Sequence, residues 1–307
     1  MTTMQLPAFV AVDWGTTRMR AALVDRNGHV LDRAASEDGV QSVPAGGYEA
    51  ALEAACSAWF AAHPDLPVLM SGMVGSRNGW IEVPYVSPPC GADDLGRSLQ
   101  RVAAAARRVF IVPGVDCRSE DGSYDVMRGE EVQAFGSGLR DGLVCLPGTH
   151  SKWVEMVDGR IRRFATFATG ELYAALTQSF VGRLAEAPDD ADAGAAVGET
   201  VARLPGGLSR QVFQARAQVL AGTMSGHAVR PFLSALLIEA EAAGARAMFG
   251  AAGAVTLVAG EPQLGPYERI LARHGFSVVS VTPEAATLSG LKLLAASAGD
   301  FGLEQLR

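Results

Sequence analysis

Two short segments bring together residue types suited to holding a polyphosphate. Asp13-Trp14-Gly15-Thr16-Thr17 follows the apolar run Phe9-Val10-Ala11-Val12, placing an acid at a strand end and then a glycine and two hydroxyls in a tight turn. A triphosphate needs backbone N–H groups that can approach its oxygens, hydroxyl donors, and a carboxylate for Mg²⁺ or its waters. Pro147-Gly148-Thr149-His150-Ser151-Lys152, after Leu143-Val144-Cys145-Leu146, supplies the complementary set with a cation. Either loop alone is compatible with a plain hairpin; the pair predicts a two-sided phosphate clamp. No GxxxxGK[ST] occurs and no GxGxxG follows the first strand, which excludes a P-loop and a Rossmann dinucleotide site. Met127-Arg128-Gly129-Glu130-Glu131 then gathers two carboxylates and a guanidinium at a predicted helix start. Acids suit that position through the helix dipole alone. Phosphoryl transfer to an alcohol also needs a carboxylate to take the hydroxyl proton, and this one falls between the two loops. Arg128 either holds a substrate carboxylate bidentately or pairs with a surface acid.

The elements that must position these residues repeat one grammar. Strand 9–12, the Gly-Thr loop, strand 19–24, the Asn27-Gly28 turn and strand 30–31 are echoed by strand 143–146, the second loop, strand 153–157, Asp158-Gly159 and a strand from Ile161. Both dipeptides suit a two-residue hairpin turn with positive φ. The echo predicts two halves, each opening on a meander and facing the other across a cleft. Helices are expected over 50–62, 95–106, 130–139, 170–180, 195–204, 207–220, 231–249, 264–274 and 284–296, and further strands over 68–70, 109–112, 255–259 and 278–281. This alternation predicts an α/β class. Ala134, Gly136, Gly138, Ala286 and Gly290 suit two closely crossing helices at an interdomain hinge, and the acidic segment 186–194 reads as a flexible loop.

Length and composition bound the partners. The 307 residues favour two domains, and 49% hydrophobic with 19% charged residues excludes global disorder. A net charge of −7 without a basic run excludes phosphate-backbone binding, so no nucleic acid is expected. The N-terminus lacks a signal-peptide pattern, and acidic residues and an arginine interrupt the most apolar late stretch, 231–260, so no membrane span is expected. Four scattered cysteines without CxxC give neither a disulfide framework nor a local zinc site. A cytoplasmic protein is the consistent expectation, and a homodimer is left open.

The ordered set Val12–Thr17, Ser71-Gly72-Met73-Val74-Gly75-Ser76 with Gly79-Trp80, Met127–Glu131, Leu146–Trp153 and Thr169-Gly170-Glu171-Leu172 resembles the 2-dehydro-3-deoxygalactonokinase family, within the sugar kinase, heat-shock ATPase and actin superfamily. The resemblance covers nearly the whole chain. It implies two ribonuclease-H-like (actin-like ATPase) domains around a central nucleotide and substrate cleft, an N-terminal domain over 1–138 and a C-terminal domain over 139–307. It also implies ATP and Mg²⁺ as cofactors, and transfer of the γ-phosphoryl to the 6-hydroxyl of 2-dehydro-3-deoxy-D-galactonate in galactonate catabolism. Asp13 is then similar to the magnesium-organising acid, and Gly15, Thr16 and Thr17 to the first phosphate loop. Gly148, Thr149 and Lys152 belong to the second loop, and Gly260, in Val258-Ala259-Gly260, to a shortened adenosine motif. Glu130 stands where other carbohydrate kinases carry an aspartate base, in a stretch similar to Gly-Asp-Gln-Gln-Ala. Met73, Ser76, Trp80 and Arg128 fall on the sugar side. Trp80 is either a sugar platform or core, and Glu171 either binds substrate or opens a helix. Arg18 and Arg20 share one strand face, as cleft cations or as a solvated face.

Two alternatives remain beside this reading, and a third is set aside. One is a kinase for another 2-keto-3-deoxy sugar acid, and another is a nucleotide-driven ATPase or phosphatase on the same fold. The third, a sugar-responsive transcription regulator, needs a basic DNA-binding segment before the first strand, where only eight residues precede Phe9.

Overall fold

The computed structural model describes residues 6–119, 122–250, 253–299 and 301. The chain divides into two compact units: Met1–Asp141 with Val154–Phe164 and Val281–Arg307, and Gly142–Trp153 with Ala165–Ser280. The C-terminal segment Val281–Arg307 thus groups with the first unit.

In the first unit, β1 (Pro7–Trp14), β2 (Met19–Asp25) and β3 (Val30–Ser36) form an antiparallel meander. β4 (Val68–Ser71) joins β1 in parallel and β6 (Val109–Ile111) joins β4, with β5 (Gln100–Arg101) at the edge, giving the order β3-β2-β1-β4-β6-β5. The period of two sends Val10, Val12 and Trp14 into a core with Met19, Leu52, Phe60, Val68 and Met70, which leaves Asp13 on the opposite face.

Several local expectations change here. The helix expected over 50–62 is two helices, α1 (Tyr48–Ala55) and α2 (Ser57–Ala62), broken at Cys56, whose φ of −113° leaves the helical region. The break lets Trp59 donate Nε1–H to Asp32 at 2.8 Å. The helix expected over 95–106 is instead α3 (Ala92–Arg97) followed by β5 and a loop. Helix propensity loses there because Val102 is anchored in the core and its N–H bonds the Val109 carbonyl at 2.9 Å, while Ala106 N–H goes to Glu49. A hairpin of β7 (Val115–Arg118) and β8 (Tyr124–Met127), not expected, carries the chain to Arg128.

α4 (Glu130–Gly136) is shorter than expected and is crossed by α10 (Pro283–Ala298), which Thr282 caps by accepting the Ala285 N–H. Any Cβ on Gly136 would run into the Ala286 carbonyl, and any on Gly290 into the Val132 carbonyl. The expected close crossing is present, but both helices belong to the first unit, so it is packing within that unit where a hinge between domains was expected.

The second unit is built on β9 (Gly142–Leu146), β10 (Ser151–Val157), β11 (Arg160–Phe167), β12 (Ala254–Val258) and β13 (Ser277–Val281), in the order β11-β10-β9-β12-β13. The far ends of β10 and β11 belong to the first unit. Asp158 and Gly159 both take positive φ, 54° and 73°, as a two-residue turn requires; at the first turn only Gly28 does. The helices are α5 (Thr169–Gln178), α6 (Ala191–Val201), α7 (Gly207–Leu220), α8 (Val229–Phe249) and α9 (Leu264–Arg273). α6 begins inside the segment expected as a loop, because Asp190 caps it by accepting the Ala193 N–H at 3.1 Å. α8 serves two clusters: Phe232, Leu233 and Leu236 pack with Val201 and Ala215, whereas Ala235, Ile238 and Ala242 pack with Trp153, Leu257 and Ile270. No helix among the described residues is long and apolar enough to cross a membrane.

Candidate active site

Asp13 stands at the end of β1, opposite Arg20 on β2 and Ser71 on β4. Its carboxylate lies 3.6 Å from Arg20 Nη1. Burial holds its pKa above the ordinary carboxylate range; Arg20 opposes that shift and the Glu130 carboxylate adds to it. Asp13 also borders a cavity of about 490 Å³ lined by Arg20, Gln133, Glu284 and Thr287 among small apolar side chains. The Gly15–Thr17 loop is held from below, since Val40 and Gln41 donate their N–H groups to the carbonyls of Gly15 and Thr16. The hydroxyls of Thr16 and Thr17 bond to nothing among the described residues. Arg18 and Arg20 do not share a strand face: Arg20 on β2 faces Asp13, whereas Arg18 precedes the strand and pairs with exposed Glu37.

Gly72 and Gly129 bring the other first-unit residues to Asp13. A Cβ on Gly72 would sit 3.4 Å from Asp13 Oδ1, and one on Gly129 would sit 3.3 Å from Gly72 Cα. Gly129 leads into α4, so Glu130 opens that helix half-buried, accepting the Arg128 N–H at 3.0 Å. Glu131 is fully buried and accepts the Gly129 N–H. The two neighbouring acids thus have different surroundings, and only Glu130 is both accessible and coupled to Asp13.

Arg128 is the most distinctive side chain of this group. Its Nη2 donates to the Val83 carbonyl at 2.7 Å, and its guanidinium lies over the Tyr85 ring at 4.5 Å. Nε and Nη1 are buried without a hydrogen-bond partner, with Nη1 against Gly75 in the turn Met73–Gly75. Unpaired buried guanidinium nitrogens are costly unless an acceptor or a negative charge arrives beside them. Around it, Ser76 spends its hydroxyl on the Met73 carbonyl at 2.7 Å, and Trp80 stacks on Tyr48 with centroids 6.2 Å apart. Trp80 is therefore packed against the core. Tyr85 was not singled out in the sequence, where it lies outside the expected elements.

In the second unit, β9 and β12 run parallel, with Leu143, Val144 and Cys145 beside Val255, Thr256 and Leu257. The loop carrying Gly148 and Thr149 and the one carrying Gly260 therefore leave the same end of the sheet, the carboxyl end at which α/β folds bind ligands. Lys152 is 5% exposed, and among the described residues its ammonium has no ion-pair or hydrogen-bond partner. A lysine whose stem is buried and whose ammonium is left open at the start of β10 suits an anion. Gly170 presses on the loop so closely that a Cβ there would lie 2.8 Å from Thr149 Cα, and Glu171 N–H bonds the Thr149 carbonyl at 2.9 Å. The Glu171 side chain pairs with His150, Oε2 to Nε2 2.7 Å, on this same loop.

Beneath the loop lies an acid cluster that motif reading did not reach. Glu241 of α8, 2% exposed, accepts from Trp153 Nε1 at 2.9 Å, Tyr267 OH at 2.8 Å and the Thr169 hydroxyl. Its sequence signal was an acid on the buried side of an otherwise apolar helix.

The 2-keto-3-deoxy-galactonokinase family model matches residues 13–294. The 2-dehydro-3-deoxygalactonokinase of Escherichia coli K12 is 36% identical over 291 residues, covering 94% of this chain and 97% of the relative. The chain belongs to the 2-keto-3-deoxy-galactonokinase family. It is by that membership a carbohydrate kinase. A crystal structure from Sinorhizobium meliloti, named as a "putative 2-dehydro-3-deoxygalactonokinase protein", superposes with a TM-score of 0.87 at 31% identity over 95% of this chain and 99% of that one. The activator of 2-hydroxyisocaproyl-CoA dehydratase from Clostridium difficile, with bound ADPNP, shares the fold at a TM-score of 0.50 and 12% identity, over 97% of this chain and 96% of that one. The expected α/β, actin-like ATPase fold of the kinase is thus the observed one.

Proposed function

We propose that this kinase transfers the γ-phosphoryl of ATP to the 6-hydroxyl of 2-dehydro-3-deoxy-D-galactonate, releasing the 6-phosphate and ADP in galactonate catabolism in the cytoplasm. The observation that carries the substrate class is the buried guanidinium of Arg128, whose Nε and Nη1 have no hydrogen-bond partner and whose charge the carboxylate of a sugar acid complements as a neutral aldose cannot. The curated relative's name supplies the galacto configuration.

In this reading Glu130 accepts the 6-hydroxyl proton as the oxygen attacks the γ-phosphorus. The new O–P bond forms as the bond from the γ-phosphorus to the β–γ bridging oxygen breaks, and ADP leaves. Gly15, Thr16 and Thr17 offer amides and hydroxyls to phosphates. Thr149 and Lys152 offer a hydroxyl and a cation, and Gly148, whose own N–H turns inward to Ser151, leaves room for close approach. Gly260 lets the nucleoside approach backbone. Met73 and Ser76 line the sugar acid beside Arg128, while Trp80 supports them from the core and Glu171 braces the second loop through His150.

Asp13 suits Mg²⁺ because its carboxylate is strained by burial and by Glu130, a repulsion that a cation relieves. The described residues contain no cluster of three or more ligating His, Cys, Asp or Glu side chains. Asp13 would hold the ion through water, together with phosphate oxygens. The ion supplies charge neutralisation of the phosphates.

An ADP-release assay across 2-keto-3-deoxy acids, aldoses and polyols tests the reading, with Arg128→Met alongside. Turnover confined to sugar acids, with KM for the acid raised at least roughly ten-fold in the variant, is expected from losing a charged hydrogen-bond pair. Turnover of aldoses and none of sugar acids overturns it, and preference for a gluco-configured acid moves the substrate within its class.

A further inference from the structure

We propose that Glu241 and Tyr267 are positioning residues for the nucleotide-binding loop at Gly148–Lys152, acting through a one-way chain of hydrogen bonds. The inference rests on the reading of that loop as a phosphate loop and assigns its support to residues far outside any motif.

The direction of the chain follows from its end. A carboxylate only accepts, and a tryptophan N–H only donates. Burial raises the Glu241 pKa, and the hydrogen-bonding groups around it, those of Thr169, Trp153, Tyr267 and Ser151, favour the accepting, ionised form against that. Glu241 takes the Trp153 indole on Oε1 and the Thr169 and Tyr267 hydroxyls on Oε2. Since the Tyr267 proton points at Glu241, its oxygen is left to accept from Ser151, whose Oγ lies 3.2 Å away. Since the Ser151 proton points at Tyr267, Ser151 Oγ is left to accept the Gly148 N–H, at 3.4 Å. The loop backbone is thus the outermost donor of a chain running Gly148, Ser151, Tyr267, Glu241. Burial and the neighbouring Glu241 keep the Tyr267 phenol protonated, as the direction requires.

A second arm reaches the loop from the other side. Glu241 fixes the hydroxyl of Thr169, the first residue of α5; Gly170, next along, seats against Gly148 and Thr149. One buried acid on α8 therefore grips both flanks of the loop. Trp153, Ser151 and Glu241 are all within 2% of complete burial, so each group that loses its partner has no water to replace it. A chain of this kind transmits a missing link to its far end. The inward turn of the Gly148 N–H fixes the loop before a nucleotide arrives, and such preorganisation is what a phosphate site gains from rigid support.

Tyr267→Phe removes one oxygen and keeps the ring, and Ser151→Ala removes the next link. Each is expected to raise KM for ATP roughly ten-fold, with kcat and KM for the sugar acid changed less than about two-fold and thermal melting still cooperative. Because both break one chain, the double variant is expected to match the worse single variant. Unchanged KM for ATP in both folded single variants overturns the proposal, as does a double variant in which the two effects multiply. Lys152→Met separates this from the underlying reading. If it leaves KM for ATP unchanged, the phosphate-loop assignment fails; if it raises KM for ATP while Tyr267→Phe and Ser151→Ala do not, only the positioning chain fails.

Discussion

Glu131 accepts the N–H of Gly129 with both carboxylate oxygens, at 2.7 and 2.9 Å, and so closes the start of α4 with its own side chain. This holds an acid in a fully buried site one residue from Glu130. Burial first, and the Glu130 charge second, push its pKa up to about 8, against the helix-end amides and Arg128.

The direction of that change is one that stability measurements can read. The folded pKa lies above the unfolded value of 4.5, so the folded chain keeps a proton that the unfolded chain has released. Stability is greatest at low pH in this respect and falls as pH rises from about 4.5 towards about 8, by about 1.4 kcal/mol for each step of one in pH. Glu131→Gln is expected to flatten this slope, being more stable than the parent at pH 8 and close to it at pH 5. Urea unfolding at the two pH values checks this; parallel slopes in the two proteins exclude it.

Glu130 is expected to behave differently, because its side chain is half-buried and electrostatically linked to Asp13. Glu130→Gln keeps the length and an acceptor but cannot take a proton, so kcat should fall by roughly 10²–10⁴ with a modest change in KM. Glu131→Gln should lower it far less. Steady-state kinetics of both variants decide between the acids, and a severe loss in the Glu131 variant alone transfers the base to that residue.

Asp13→Asn should separate activity from stability. The native carboxylate is desolvated and repelled by Glu130, so the neutral amide is expected to raise the thermal midpoint at pH 8 while strongly depressing turnover. Sugar-acid binding without nucleotide should remain, as seen by calorimetry. Loss of that binding with turnover retained at saturating substrate would remove Asp13 from its phosphate role.

Gly290→Ala places a methyl group against the Val132 carbonyl in the α4–α10 crossing. Overpacking of this kind typically costs about 1–3 kcal/mol. Denaturant unfolding should show such a loss, and a variant of parental stability would mean that the crossing opens freely.

What the sequence disclosed was local. The two Gly-Thr loops follow apolar strands, and Asp158-Gly159 carries its turn in its residue types. Gly136 and Gly290 signalled a close crossing because small side chains have few other uses at helical spacing. The β7–β8 hairpin was missed because four-residue strands joined by polar residues carry almost no period. The 95–106 segment misled because its alanines favour helix, whereas Val102 and the Val109 carbonyl decide the conformation. Arg128 could be named from its motif, but its unpartnered nitrogens depend on Val83, Tyr85 and Gly75, which only folding assembles. Glu241 stands 72 and 88 positions from Thr169 and Trp153, a separation at which no spacing rule operates.

The return of α10 to the first unit sets an order of events during synthesis. α4 leaves the ribosome with its glycine face bare, and the helix that covers it follows only after the whole of Gly142–Ser280 has been made. At roughly 5–20 residues per second that interval is on the order of ten seconds. The second unit can complete its own core during the wait, while the earlier-made unit stays open until α10 emerges. The N-terminal unit is therefore the last to close, and a chain stopped before Pro283 leaves it without its final helix.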